Sequence, residues 1–552
     1  MLFNSFEFLI FFIIVFGLYS SFKKNFKIQN LLLLVASYVF YGWWDARFLF
    51  LIVLSTFTDY SAGIMIHTGR LSVKQRMLIS GYLLLSLFLF IILSWKNIHF
   101  NLFSFHIDLS NAISWGDNEK RIVIGSILLV ILANLFYPLF LKIKIENRRK
   151  IFLFFSIAAN LTLLGFFKYY NFFIESFIDF SNSVFGYNPN VWSLNIILPV
   201  GISFYTFQTM SYTIDVYRKE LEASENFIDF ATYVAFFPQL VAGPIERAKH
   251  LLPQFKKPRI IAKGQDFKDS LWLIFWGLFK KMVVADNMSQ IVNNIFGPYD
   301  NGLSTLPDNA WLTIIGILAF AFQIYGDFSG YTDIARGTAK LLGFDIMLNF
   351  NLPYFANSPS DFWRRWHISL SSWLRDYLYI PLGGNRKGNF NTYRNLFLTM
   401  LLGGLWHGAA WTFVIWGAYH GLILIIYRLG NIDKKIKSFS KTAKLGMVIF
   451  MFVLTCIGWL IFRAQNTTTI ILFAKSIFLS SYDFTVALEP FKNFLFYGWF
   501  LILFQFIQYF TGNLMPHNSM HKILRFHIWL IVIFSIMFLS AQEVQEFIYF
   551  AF

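Results

Sequence analysis

The chain alternates long apolar stretches with short polar loops, and this pattern predicts a helical membrane protein. Apolar runs of about 17 to 22 residues recur from one end of the chain to the other, each long enough for a helix to cross a bilayer. In lipid, backbone polar groups must be paired within their own segment, which favours helices, and the alternating short strands of a membrane barrel are not seen in the sequence. We therefore expect an all-α polytopic membrane protein with roughly 11–14 transmembrane helices, supplemented by re-entrant or in-plane helices.

The charges of the loops predict how these helices are oriented. Basic residues follow the first, third and fifth apolar runs, whereas the 96–120 loop carries three acidic residues and the 174–195 loop has no Lys or Arg. Cytoplasmic loops of membrane proteins are enriched in Lys and Arg. We therefore expect the N-terminus to lie outside the cytoplasm.

Two segments depart from the simple pattern of crossing helices. The first, residues 227–263, has a short apolar run interrupted by Pro238, Gly243 and Pro244, and it begins and ends beside basic residues. An in-plane or re-entrant segment on the cytoplasmic side fits it better than a crossing. The second is an apolar run at about 309–326 that leads into the Gly- and Ser-rich sequence QIYGDFSGYTDIARG. We expect the helix to break or end there.

Composition supports the membrane assignment and limits the other function classes. The chain is 57% hydrophobic and 14% charged, whereas an ordinary soluble domain carries about 25% charged residues. The net charge of +16 is explained by basic cytoplasmic loops, so we expect no nucleic-acid partner. The single cysteine, Cys456, excludes an intrachain disulfide and a cysteine metal cluster.

One polar stretch, residues 358–420, stands out among the apolar runs. Ser358 and Pro359 are typical of a helix start, and we expect one amphipathic, non-spanning helix from there to about Tyr379. At helical spacing one of its faces carries four polar residues: Arg364, His367, Ser371 and Arg375. The basic residues of the stretch either anchor the helix to anionic lipid headgroups or receive a phosphorylated ligand, the candidates for which are Arg364, Arg375, Arg386 and Lys387.

A second histidine follows at a different depth. His407 comes 13 residues after Arg394, which marks the cytoplasmic end of the next membrane span, so we expect it about 20 Å into the membrane. A histidine at that depth either makes an interhelical hydrogen bond or moves a proton, as imidazole does near neutral pH. No HExxH motif or Ser-His-Asp spacing accompanies the two histidines, so a metal site and serine hydrolysis are poorly supported.

Several motifs together resemble the membrane-bound O-acyltransferases, in particular the bacterial branch of alginate O-acetyltransferases and teichoic-acid D-alanyl transferases. The residues that carry the resemblance are LLLLVASYVFYGWW at 31–44, PQLVAGPIER at 238–247, QIYGDFSGYTDIARG at 323–337, DFWRRWHISLSSWLRDYLYIPLGGNR at 361–386 and GGLWHGAAWTFVIWGAYHG at 403–421. The resemblance implies a fold with a central tunnel, divided into N-terminal spans (1–195), a catalytic core (196–465) and C-terminal spans (466–552).

The resemblance also implies a site and a reaction. His407 and His367 would be the catalytic residues, with His407 as the general base, and Arg364, Arg365 and Arg375 would bind the donor. The donor would be a cytoplasmic thioester, acetyl-CoA or an acyl carrier protein, with no permanently bound cofactor and no metal. In the bacterial inner membrane the chain would work among membrane lipids, with an extracytoplasmic esterase-like acetyltransferase as partner and a glycan as acceptor. Transfer of acyl or D-alanyl groups to a lipid or teichoic acid, and a transporter or flippase without this chemistry, stay open as alternatives.

Overall fold

The computed structural model is predominantly helical in the residues that it describes, which are 1–95, 99–101, 106–108, 113–187, 194, 196–241, 243–542, 545, 547 and 548. Within these ranges the strands are a short antiparallel pair, His99–Asn101 and His106–Asp108. The chain forms two compact units. The first comprises 1–241, 245–262 and 342–346, and the second comprises 242–244, 263–341 and 347–552.

The first unit contains eleven of the helices. They are α1 (Phe6–Ser21), α2 (Phe26–Asp45), α3 (Leu49–His67), α4 (Val73–Leu87), α5 (Asp117–Lys142), α6 (Ile145–Leu164), α7 (Tyr170–Phe185), α8 (Ile202–Tyr217), α9 (Phe227–Ala235), α10 (Phe237–Leu240) and α11 (Ala248–Phe255). Single π-helical turns extend α4 over Phe88–Ile92 and join α6 to α7 over Gly165–Tyr169.

A buried carboxylate holds two helices of this unit together. Asp59 on α3 has no exposed surface, and it accepts hydrogen bonds from the Ser156 hydroxyl (2.5 Å) and the Asn160 amide (2.9 Å) of α6. Burying a charged or polar group is unfavourable unless it is hydrogen-bonded, so these contacts fix α3 against α6.

The 227–263 segment forms the three short helices α9, α10 and α11, of nine, four and eight residues. A helix needs about 20 residues to cross the hydrocarbon core, so none of them spans it. Their aromatic side chains Phe230, Tyr233 and Phe236 are completely buried within the first unit. The structure agrees with the prediction that this segment is not a crossing.

The second unit contains the remaining helices. They are α12 (Gly264–Leu278), α13 (Asp286–Asp300), α14 (Ala310–Leu341), α15 (Pro359–Arg365), α16 (Ile368–Leu374), α17 (Gly388–His407), α18 (Trp411–Leu429), α19 (Ile432–Lys437), α20 (Lys441–Arg463), α21 (Thr467–Leu479), α22 (Phe484–Thr511) and α23 (Lys522–Leu539). A π-helical segment, Phe279–Ala285, joins α12 to α13.

The helix that was expected to end near residue 326 continues to Leu341, so that prediction is wrong. Its glycines serve close packing and do not terminate it. A Cβ atom added to Gly330 would lie 2.7 Å from the carbonyl oxygen of Gly277 on α12, a distance that real Cβ atoms essentially never show. Glycine is therefore required where α12 and α14 touch.

Nine helical stretches in the described part of the chain are long and apolar enough to cross a membrane. They are Phe26–His67, Val73–Ile92, Asp117–Lys142, Ile145–Phe185, Ala310–Leu341, Trp411–Leu429, Lys441–Arg463, Phe484–Thr511 and Lys522–Leu539. Two shorter apolar helices, Phe6–Ser21 and Thr467–Leu479, add to them. The predicted all-α polytopic class is confirmed, whereas the three-part division at residues 195 and 465 stays a prediction.

Candidate active site

The helix predicted from Ser358 to about Tyr379 starts as expected but is not continuous. The Ser358 hydroxyl accepts a hydrogen bond from the backbone N–H of Asp361 (3.3 Å), and Pro359 occupies the first turn. The helix then stops at Arg365, and α16 begins at Ile368, followed by a π-helical turn over Arg375–Tyr379. The prediction of one unbroken amphipathic helix is therefore wrong.

The break falls on one of the two histidines. His367 has a φ of +44°, in the left-handed region that few residues other than glycine adopt. Asn349 compensates for the break: its carbonyl oxygen accepts from the N–H of Ile368 (3.0 Å), and its side-chain oxygen accepts from the N–H of Ser369 (3.1 Å). The first N–H groups of α16 are thus satisfied by a residue that precedes the helix by nearly twenty positions.

Asn349 also fixes the imidazole of His367. The Nδ1 atom lies 3.2 Å from the side-chain oxygen of Asn349, which also accepts from the Ser369 hydroxyl at 2.9 Å. The ring is fully buried and packs edge-on against Phe328, with 4.7 Å between centroids. Burial disfavours the charged imidazolium and lowers the pKa of His367 to about 3. His367 is therefore neutral at physiological pH.

His407 is the last residue of α17, where the helix ends at Gly408. The following helix, α18, approaches α17 closely, because a Cβ atom on Gly404 would lie 2.8 Å from the Cα of Gly417. This approach brings Trp416 of α18 to 4.9 Å from the His407 ring, and Phe462 of α20 lies at 5.5 Å. His407 is almost entirely buried, with these aromatic rings packed around it.

The break in the helix brings the two histidines together. The centroids of their rings are 6.4 Å apart, and Trp406 contacts both, at 6.0 Å from His367 and 5.1 Å from His407. Residues that are 40 positions apart in the sequence are thus neighbours in one buried centre. Whether they carry out the chemistry stays a prediction at this point.

A cavity of about 310 Å³ reaches this centre and connects it with two of the three candidate arginines. Its lining includes His407 and Trp416 together with Arg364, Ser371 and Arg375. The remaining lining residues are predominantly apolar: Trp363, Ile368, Leu370, Ser372, Leu374, Tyr379, Leu396, Thr399, Met400, Gly403 and Leu424. The arrangement is that of a mainly apolar pocket with an imidazole and two guanidinium groups in its wall.

The three arginines differ in their partners. Arg365 points elsewhere: its Nε atom donates to Asp361 (3.0 Å), and its Nη1 atom donates to the carbonyl oxygen of Asn351 (3.3 Å). Arg375 makes a bidentate ion pair with Asp376, at 2.7 and 3.2 Å. Among the residues that the structure describes, the ion-pair contact of Arg364 is a long one to Asp361, at 3.8 Å, and its side chain is 71% exposed. Arg364 is therefore the least neutralised of the three.

Reasoning from the sequence missed two polar residues of this region. Asn349 lies in a loop and carries no motif that would connect it with His367. His420, one helical turn after Trp416, is buried with its ring 4.6 Å from that of Trp416 and 5.1 Å from that of Trp363. Its position at the end of the glycine- and tryptophan-rich motif was visible, but no pattern of spacing gave it a role.

The amino-acid sequence of the chain is similar to proteins of one known family. Residues 180–464 match the model of the membrane-bound O-acyltransferase family. The chain is 38% identical over 470 residues to a probable alginate O-acetylase of Pseudomonas putida, covering 84% of this chain and 78% of that protein. A peptidoglycan O-acetyltransferase of Helicobacter pylori is 37% identical over 383 residues, covering 64% and 68% of the two chains. A teichoic acid D-alanyltransferase of Bacillus subtilis is 27% identical over 291 residues, covering 49% and 70%.

Proposed function

The chain belongs to the membrane-bound O-acyltransferase family, and we propose that it transfers an acetyl group from a thioester donor to hydroxyl groups of an extracytoplasmic polysaccharide or cell-wall glycan. It is an acyltransferase held in a membrane by several apolar helices. We choose acetyl because two of the relatives are named as acetyl-transferring enzymes. The name of one refers to alginate and the name of the other to peptidoglycan. A glycan acceptor is common to both.

The observation that carries the proposal is the cavity shared by His407, Arg364 and Arg375. A thioester donor of the coenzyme A or acyl-carrier type has a phosphate-bearing end and an apolar acyl end. Guanidinium groups suit phosphate, because their planar N–H donors match its oxygens. Arg364 and Arg375 would hold the phosphates while the acyl end reaches His407 along the apolar wall.

The chemistry requires one base and no metal. His407 takes the proton of the acceptor hydroxyl as its oxygen attacks the thioester carbonyl, which forms the new C–O bond and a tetrahedral oxyanion. The C–S bond then breaks as the carbonyl re-forms, and the departing thiolate takes the proton back from the imidazolium. His407 thus ends the cycle neutral, as it began, and the products are an acetyl ester and a free thiol.

His367 has a different part in this proposal. Its neutral imidazole donates its Nδ1 proton to the side-chain oxygen of Asn349, so its Nε2 atom can only accept a hydrogen bond and would orient a hydrogen-bond donor of the substrates. Burial that disfavours its protonated form makes His367 the poorer proton carrier and suits it to a positioning role. The two histidines would therefore divide the work, with His407 moving the proton and His367 positioning the substrate.

The orientation of the protein in the membrane sets the direction of acetyl transfer. With the basic loops on the cytoplasmic side of a bacterial inner membrane, the N-terminus lies outside and the donor arrives from the cytoplasm. The acetyl group would leave on the opposite side, either directly onto a glycan hydroxyl or onto an esterase-like acetyltransferase that passes it to the glycan. This direction agrees with the charge pattern of the loops and with a cell-surface acceptor.

A donor and acceptor assay tests the proposal. The purified protein in proteoliposomes is given acetyl-CoA, a longer acyl-CoA or a D-alanyl carrier thioester, and thiol release and ester formation on alginate or peptidoglycan fragments are measured. We expect thiol release to be fastest with acetyl-CoA and to require an acceptor, with or without the partner protein. Preference for D-alanyl thioester would replace the proposal by teichoic-acid transfer, and no thiol release with any donor would support a transporter or flippase.

A further inference from the structure

A second cavity lies in the first unit, far along the sequence from the two histidines. It has a volume of about 320 Å³ and is bounded by α3, α4, α5 and α6. Most of its lining is apolar, including Phe57, Ala62, Leu132, Phe136, Phe152 and Phe155. A cavity of this size and lining accommodates a hydrocarbon chain better than a polar substrate.

One arginine closes the polar end of this cavity. The guanidinium of Arg76 lies 4.3 Å above the ring of Tyr137, and its Nη1 atom makes a long contact of 3.5 Å with the side-chain oxygen of Asn134. Its Nε atom is buried and has no hydrogen-bond acceptor among the described residues. A buried N–H group without an acceptor is unfavourable, so this end of the cavity favours an anion.

The same end of the unit is strongly basic. Tyr137 bonds through its hydroxyl to the backbone of Leu71, and the Arg148 guanidinium lies against Gly69, so the α3–α4 loop adjoins the turn between α5 and α6. Together with the helix ends that flank them, the loop and the turn (residues 70–76 and 142–150) carry eight basic residues (Arg70, Lys74, Arg76, Lys142, Lys144, Arg148, Arg149 and Lys150) and one acidic residue, Glu146. Charge complementarity therefore selects a negatively charged headgroup.

We propose that this cavity is a binding site for an anionic phospholipid, with one acyl chain between α3, α4, α5 and α6 and the phosphate against Arg76. The apolar lining accounts for the chain, and the Nε atom of Arg76 accounts for the phosphate. The surrounding basic residues account for the preference for a net negative headgroup. The site is independent of the acyl-transfer reaction proposed above.

Native mass spectrometry of the purified full-length protein in detergent tests this site. The probes are phosphatidylglycerol and phosphatidylcholine with identical acyl chains, compared for wild type, Arg76→Gln and a control, Arg70→Gln, which removes an exposed charge from the adjoining loop. We expect wild type to retain phosphatidylglycerol in preference to phosphatidylcholine. Arg76→Gln should weaken phosphatidylglycerol binding about fivefold, whereas Arg70→Gln should leave it within twofold.

A cavity-filling variant provides a second measurement should Arg76→Gln fold poorly. Ala133→Trp places a bulky ring in the lining of the cavity without touching the charge. We expect it to lose the bound phosphatidylglycerol while its unfolding midpoint in lipid-free detergent stays close to that of wild type. Equal retention of phosphatidylglycerol by wild type and Ala133→Trp, an equal loss in Arg70→Gln and Arg76→Gln, or equal binding of the two lipids would each overturn the proposal.

Discussion

Two of the places at which the second unit buries ionisable side chains differ in how the groups are paired. On α14 and its neighbours, Lys281 lies 2.7 Å from Asp286 and 2.9 Å from Asp327, and Lys280 lies 2.6 Å from Asp333. Around the break between α15 and α16, by contrast, two imidazoles lie among aromatic rings, and one of them, His407, lines a cavity.

We interpret this difference as one between a cluster of ion pairs that stabilises the fold and a candidate reaction centre formed by the two histidines. A buried charge is strongly unfavourable unless an opposite charge and hydrogen bonds compensate for it, and in the Lys–Asp cluster each lysine has an aspartate partner. A neutral imidazole can be buried against aromatic rings without a counter-charge, and it keeps its ability to accept a proton. We infer that the paired cluster maintains the fold and that the histidine centre carries the reaction.

The largest effect is expected from a substitution that breaks the Lys–Asp cluster. Lys281→Met leaves Asp286 and Asp327 buried together without their cation, and removing one partner of a buried ion pair typically costs about 3–5 kcal/mol. We expect a large fall in the unfolding midpoint, which is measured by tryptophan fluorescence in detergent. The control is Lys268→Met on α12, where the lysine is exposed. Equal midpoints for the two variants would mean that the cluster does not hold the fold.

A smaller effect is expected from the residue that orients His367. Asn349→Ala removes the acceptor of the imidazole and of the Ser369 N–H, and misplacing a reacting group by about 1 Å can lower turnover about a hundredfold. We expect kcat to fall about tenfold to a hundredfold with little change in KM. Asn351→Ala, two residues further on, is the matched control. A change in KM alone would assign Asn349 to donor binding and not to positioning.

The cavity arginines should affect donor binding more than chemistry. Arg364→Gln removes the least neutralised guanidinium of the cavity wall, and we expect KM for the donor to rise about fivefold with kcat unchanged. Arg386→Gln, an exposed basic residue outside the cavity, serves as the control. Steady-state kinetics with acetyl-CoA distinguishes the two, and an identical rise in both variants would point to general attraction between the basic surface and the donor.

The smallest effect concerns pH. Because burial lowers the pKa of His367 to about 3, the ring stays neutral between about pH 5 and pH 9, and activity in that range should show no inflection from it. In Asn349→Asp a carboxylate beside the ring favours the imidazolium and raises its pKa, so activity should decline as the pH is lowered toward the new value. Superimposable acidic limbs for the two proteins would show that the protonation state of His367 does not matter.

Local sequence signals identified much of the site. The cap at Ser358 and the shared face of Arg364, Ser371 and Arg375 follow from capping and helical periodicity, and these three polar residues do line the cavity with His407. The periodicity also put His367 on that face, whereas the structure places it at the break.

The parts that sequence reasoning could not predict depend on contacts between distant residues. The break at His367 exists because Asn349 satisfies the start of α16, and nothing near residue 367 shows that. Glycines in α14 resemble a helix end until the close approach of Gly277 explains them. Arg365 lies away from the cavity because Asp361, one turn earlier, holds it. In each case tertiary packing selects among conformations that the local sequence permits.

The most direct test of the central claim is to measure the turnover and the unfolding midpoint of His407→Ala on one preparation. If the histidine centre carries the reaction and the paired cluster maintains the fold, acetyl transfer per folded molecule should fall by about 10³ or more, and the midpoint should stay within a few degrees of wild type. A folded His407→Ala protein that retains more than about a tenth of wild-type turnover would contradict the account, since loss of a general base costs about 10² or more.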